Sequence, residues 1–165
     1  MSLHFVVGIP GSGKSTLAKT LLTIGVVDEI ISTDAIRERI IAYYGTSSDP
    51  YFDPSVETDV WSEATGRMDN LLLYGLKPLL DSTNLNPDNR RRWLELANRY
   101  EVGATAHLLG TPIGACRTRN RDRTRVVPEN VMDRMIRDWN RDCSPEILRA
   151  EGFEVLTHWT KRGDE

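Results

Sequence analysis

Apolar positions along the chain follow two periods that take turns. HFVVGI (4–9) is an apolar, β-branched run, which predicts a buried strand. KSTLAKTLL (14–22) then shifts to helical spacing. EIIST (29–33) predicts a second short strand, and DAIRERIIAYYG (34–45) a helix that begins at Asp34 and stops at Gly45. After a turn-rich loop at 46–55, residues 56–75 read as a helix with one internal glycine, and KPLLDST (77–83) as a third strand. Asn86 followed by Pro87 is a strong start signal, a capping side chain and then a ring that needs no N–H partner, so 86–100 reads as helix. VGATAHLLG (102–110) predicts a fourth strand, 112–123 a helix or helical lid, 128–140 a proline-initiated helix, and FEVLTHW (153–159) a last, alternating strand.

Strands alternating with helices of about 10–15 residues predict βαβ units, hence an α/β fold with a parallel sheet and helices on both faces. In such sheets ligands gather at the carboxyl ends of the strands. The segments to inspect are therefore 8–16, 33–34, 81–84 and 110–112.

Length and composition narrow this further. The 165 residues are expected to form one domain, long enough to bury a core without staples. No apolar run approaches the roughly 18 residues of a membrane span, and the N-terminus shows no secretory pattern. Cys116 and Cys143 lie far apart and match no metal spacing, so unpaired thiols and a reducing, cytoplasmic setting are expected. The net charge of −3 argues against a broad nucleic-acid track, but the cations are skewed: only four of the 21 are lysines. Arg117, Arg119, Arg121, Arg123 and Arg125 crowd together, and Arg90, Arg91 and Arg92 form a smaller group. Arginine is suited to bidentate phosphate recognition, so an arginine block in an acidic protein points to a compact anionic site.

The first strand end supplies one. GIPGSGKS, starting at Gly8, matches G-x-x-x-x-G-K-[ST] between a predicted strand and a predicted helix. Glycines let successive N–H groups converge as an anion nest at a helix N-terminus. Gly11, Ser12, Gly13, Lys14, Ser15 and Thr16 are thus the candidate triphosphate site for ATP or another NTP. Lys14 would reach the β- and γ-phosphates, and the Ser15 hydroxyl would ligate Mg²⁺.

The other strand ends are candidates for the acceptor. Asp34 ends the second strand on the same sheet edge and suits a base that takes a proton from an alcohol; the alternative is a helix cap. Arg37 is one helical turn on and would pair with a phosphate beside the acceptor hydroxyl. Asp81 is placed like a Walker B acid, to hold the metal through water or to orient Arg37. Thr83 and Asn84 would bond acceptor or brace the P-loop. Arg119 and Arg123, four apart, suit a lid that stabilises charge on the transferring phosphoryl group. Tyr43, Tyr44, Tyr51 and Phe52 either stack on a terminal base or pack the helix; Trp61, Trp93, Trp139 and Trp159 read as core or helix-packing residues, and His4, His107 and His158 as structural strand residues.

Taken in order, GIPGSGKST, STDAIRER, DSTNLNPDNRRRW and RNRDR…VVPENVM resemble the kinase domain of polynucleotide 5′-hydroxyl kinases of the bacteriophage and bacterial repair type, over nearly the whole chain. The resemblance implies a P-loop phosphotransferase using ATP and Mg²⁺. It implies Asp34 as general base, Arg37 on the phosphate next to the 5′-OH, and Arg119 and Arg123 as lid arginines on ATP. Asp81 departs from the family by one residue, DSTN here against DTN. The acceptor it implies is a DNA or RNA 5′-OH end. The chain carries neither a D-x-D-x-T phosphatase motif nor a ligase motif, so separate phosphatase and ligase partners are expected in repair. The rival reading is a small-molecule hydroxyl kinase of the same fold, acting on a sugar, nucleoside or antibiotic. An NTP-binding regulatory module without transfer is disfavoured by Asp34.

Overall fold

A computed structural model describes residues 1–44 and 54–159. In chain order the elements are β1 (Ser2–Val7), α1 (Lys14–Thr23), β2 (Glu29–Ser32), α2 (Thr33–Tyr44), α3 (Pro54–Leu73), β3 (Pro78–Asp81), α4 (Pro87–Arg99), β4 (Gly103–Leu109), α5 (Ile113–Arg121), α6 (Glu129–Asp142), α7 (Pro145–Glu151) and β5 (Glu154–His158). The five strands form one sheet in the order β2-β3-β1-β4-β5, every neighbour parallel.

The period-2 rule explains how the sheet is covered. Leu3, Phe5 and Val7 of β1 join Ile31, Leu80 and Leu108 in a large cluster with α2, α3, α4 and α7. Val6 points the other way, into a smaller cluster with Leu79, Leu109 and the Ala18 and Leu21 side of α1. Helices therefore lie on both faces, as the alternating pattern predicts. Edge β5 is only partly buried, in keeping with its alternating sequence.

Local chemistry sets the boundaries. Pro78 opens β3 rather than interrupting it, a position where its missing N–H costs no ladder bond. The Asn86 side chain accepts from the Asp88 N–H at 2.8 Å, and Pro87 follows at the first helical position. Gly66 does not break α3. The short helix α7 has no counterpart in the periodicity reading; Ser144 caps it and Gly152 ends it in the left-handed conformation. Its Leu148 is fully buried, and Glu151 faces Arg90.

Candidate active site

A cleft of about 1140 Å³ opens at the carboxyl edge of the sheet, and the segment after β1 forms its floor. Gly11 has φ +80°, and a Cβ there would overlap the Cys116 carbonyl of α5. Gly13, at φ +97°, is the N-cap of α1 and brings no side-chain cap of its own. The first N–H groups of α1 thus have no side-chain acceptor at the point where an anion would sit. Lys14 donates from Nζ to the Ile9 carbonyl at 2.9 Å across the loop. Burial lowers its pKa to about 8, the Asp81 and Asp34 charges pulling the other way. A half-buried ammonium whose charge is disfavoured gains from an arriving phosphate. The glycine conformations, the uncapped helix start and this lysine fit a nucleoside triphosphate. Ser15 and Thr16 line the same floor in the first turn of α1. Among the described residues no three carboxylate, histidine or cysteine groups converge for a metal. Mg²⁺ would therefore rely on Ser15, phosphate oxygens and a nearby carboxylate such as Asp81.

Across the cleft, Asp34 stands in the first turn of α2 with its carboxylate half exposed. Arg37 donates from Nη1 to Asp34 Oδ1 at 2.5 Å and from Nε to Glu57 Oε1 at 2.6 Å. Burial opposes the guanidinium charge, but the hydrogen bonds and charge of Glu57, with those of Asp34, outweigh it and raise the pKa. Arg37 thus remains a cation held between two carboxylates. The residue that orients it opposite Asp34 is Glu57 of α3, not Asp81. Asp34 lines the cleft with its carboxylate half exposed beside the bond to Arg37.

The β3 end divides. Asp81 and Thr83 line the cleft. Asn84 does not: it is buried at φ +50°, donates to the Val6 carbonyl at 2.8 Å and the Ser82 carbonyl, and accepts from Trp93 Nε1 at 3.2 Å. With its amide consumed, Asn84 ties β1 to the turn after β3 and has nothing left for an acceptor. The Gly8 N–H donating to the Thr83 carbonyl at 3.1 Å belongs to the same brace. Arg90 is equally structural. At 0% exposure it reaches Glu151, the Asn84, Leu85 and Asp142 carbonyls and Cys143 Sγ. Arg91 pairs with Asp88 on the surface, and Arg92 is exposed, so the three consecutive arginines point to different surroundings.

The arginine block sorts by face. Arg119 of α5 and Arg123, just past its end, both line the cleft. Arg119 also donates to the Gly11 carbonyl at 3.4 Å. Arg117 pairs with Glu129 and Asp133, Arg121 with Glu129, and Arg125 with Glu38, all away from the P-loop. The turn bearing Arg123 is pinned by Asn120, which donates to the Val127 carbonyl at 2.9 Å and accepts its N–H at 3.1 Å.

The P-loop and the parallel strand order agree with the family comparison. A model of the AAA domain family matches residues 3–142. The chain belongs to the AAA domain family. Among solved structures it is similar to the Pnkp1/Rnl/Hen1 RNA repair complex, at TM-score 0.71 and 16% identity over 93% of this chain and 47% of that one. It is also similar to a gluconokinase from Sinorhizobium meliloti 1021, at TM-score 0.65 and 16% identity over 98% and 83% of the two chains. A shikimate kinase from Acinetobacter baumannii in complex with shikimate follows at TM-score 0.58 and 18% identity, over 98% and 84%. No curated protein matches the chain by sequence. At these identities the structures share the fold: a P-loop kinase-type α/β domain.

Within this AAA domain the sequence reading missed several cleft residues. Glu57 and Trp61 sit one turn apart on α3, and Arg134 and Met135 face the cleft from α6. The i, i+4 spacing of Glu57 and Trp61 was a legible signal, but nothing in one helix says which face another helix leaves open. Trp93 is buried and Trp139 packs against the core, as expected. Trp61 packs on Trp93, ring centres 6.1 Å apart, yet also lines the cleft, and Trp159 is exposed in its wall rather than buried. Tyr43 is exposed; the side chain of Tyr44, and Tyr51 and Phe52, lie outside the described residues. Both cysteines are free and buried, burial raising the Cys116 pKa and pushing Cys143 up to about 12, so neither is a nucleophile here. No described helix is long and apolar enough to cross a membrane.

Proposed function

We propose that the protein transfers the γ-phosphate of ATP to an alcohol bound beside Asp34. The observation that carries this is the half-exposed Asp34 carboxylate, held by Arg37, which Glu57 steadies in turn, across one cleft from the P-loop lysine. Asp34 takes the proton of the acceptor hydroxyl, the hydroxyl oxygen bonds to the γ-phosphorus, and the bond from that phosphorus to the bridging oxygen breaks, releasing ADP. Lys14, Arg119 and Arg123 bear the charge on the phosphoryl oxygens. Ser15 would be among the ligands of a Mg²⁺ ion, which would neutralise charge between the phosphates.

The acceptor we propose is the 5′-OH end of a DNA or RNA strand, with Arg37 addressing the adjacent phosphate. The four ordered motifs and the likeness to the RNA repair complex support it. Partner phosphatase and ligase activities and a cytoplasmic setting belong to the same reading. A second reading, a small hydroxylated acceptor, is favoured by one observation: Arg37 is already matched by two carboxylates and has less charge to offer a phosphate.

Transfer of label from γ-labelled ATP with Mg²⁺ separates them. Label on 5′-OH oligonucleotides and a 3′-mononucleotide, but not on a nucleoside, supports the polynucleotide reading. Label confined to a nucleoside or sugar overturns it and retains the base. Asp34→Asn abolishes transfer while ATP binding stays within a few-fold; near-full transfer by that variant removes Asp34 from its role.

A further inference from the structure

The donor half of the cleft has a wall that phosphate chemistry does not use. In the sheet order, β2 and β3 lead to Asp34 and Asp81 on one side of β1, and β4 and β5 lie on the other. A triphosphate seated on the P-loop with its γ-phosphate toward Asp34 would leave its nucleoside the opposite side of the same cleft, toward β4 and β5. Trp159 stands there, the residue after β5, in the cleft wall beside Leu109 and His158. The residue is 75% exposed, the most open tryptophan among the described residues.

The ring is nevertheless seated. Gly110, just past β4, donates its N–H to the His158 carbonyl at 2.9 Å, which continues the strand pairing to the foot of Trp159. A Cβ on Gly110 would lie 2.6 Å from both Cε3 and Cζ3 of Trp159, so the six-membered ring of the indole covers the space a side chain would take. Gly110 is not in the left-handed region, so the ring, not the backbone, requires glycine there. Below, His158 Nε2 shares a hydrogen bond with His107 Nδ1 at 3.0 Å, and His107 Nε2 another with His4 Nδ1 at 3.0 Å, tying β5 back to the centre of the sheet. An exposed aromatic ring on a held backbone beside the P-loop has the form of a stacking platform.

We propose that Trp159 is the platform on which the base of the nucleotide donor stacks, with Gly110 left bare to seat it. The inference rests on the ATP-donor reading above. Because every base offers a π-face, it implies weak discrimination between ATP and GTP as donors.

The test is calorimetric binding of a non-hydrolysable β,γ-imido ATP analogue and of inorganic tripolyphosphate, which has no base. Trp159→Ala should weaken the analogue about tenfold, the order of one lost base stack, and leave tripolyphosphate within about twofold. Trp159→Phe should recover most of the loss, and Gly110→Ala, which displaces the ring without deleting it, should reproduce part of it. Unchanged analogue binding in Trp159→Ala, or equal weakening of both ligands, overturns the platform. A wild-type protein that binds neither ligand overturns the donor reading and this inference together.

Discussion

At the residue scale, the site is built from charges that are left incomplete or held in tension. Lys14 is the clearest case. Its free-state pKa of about 8 lies below the ordinary 10.5. The unfolded chain therefore binds more protons between these values, and this group's contribution to stability rises with pH across that window. For ligand binding the sign reverses. Phosphates favour the charged form, so affinity for the ATP analogue should fall as pH rises through about 8, with net proton uptake on binding at higher pH. Calorimetry in buffers of different ionisation enthalpy reads that uptake; its absence at about pH 8.5 would place the lysine outside the phosphate site. Arg37 is the second case. Glu57→Gln removes one of its two carboxylates and leaves the guanidinium freer for a phosphate. If the acceptor carries a phosphate, KM for the acceptor should fall or hold while kcat drops about tenfold from the looser Asp34 geometry. A rise in KM alone would fit a neutral acceptor that uses Glu57 directly.

At the element scale, short segments matter more than long helices. Asn120 pins the turn that carries Arg123, and Asn84 pins the β3 turn to β1. Asn120→Ala should release the Arg123 turn, lowering kcat about tenfold while ATP analogue affinity changes little, since Lys14 and the P-loop remain. An equal loss in binding would show that the turn supports the nucleotide directly. Arg90 fastens α4 to α7 and to the last residue of α6. Arg90→Met strands Glu151 and several carbonyls, and should cost about 3 kcal/mol or more in urea unfolding. A change under about 1 kcal/mol would mean the junction is satisfied by water.

At the scale of the whole molecule, three strands are tied on one face by histidines. His4, His107 and His158 form a row in which the ring nitrogens share protons, and Ser2 Oγ closes it at 2.6 Å from His4 Nε2. Burial, with the neighbouring histidines adding to it, lowers His107 to about 3; burial also lowers His4 and His158. Lys77 and the N-terminus push His4 down, while Glu154 and Asp28 push it up. At His107 the unfolded chain gains a proton near the ordinary 6.5 and the fold does not until far lower pH; His4 and His158 are shifted in the same direction. This row therefore contributes fully above about pH 7 and loses its contribution as pH falls. His107→Leu should flatten the dependence of the urea midpoint between about pH 7 and pH 5; an unaltered slope would assign that dependence to carboxylates elsewhere.

Local spacing determined much of this protein. The βαβ order, the P-loop, the Asn86–Pro87 start and the two cleft arginines follow from residues a few positions apart, because strand and helix periods, glycine conformations and caps are local physics. Only the tertiary structure decided which side chains share a space. Glu57 of α3 comes to Arg37 of α2, Asn84 turns inward on three partners, Arg90 disappears into the α4–α7 junction, and Trp159 comes to rest on Gly110. Each depends on contacts between segments far apart in the chain, and a pattern read along one segment carries no information about what the fold lays against it.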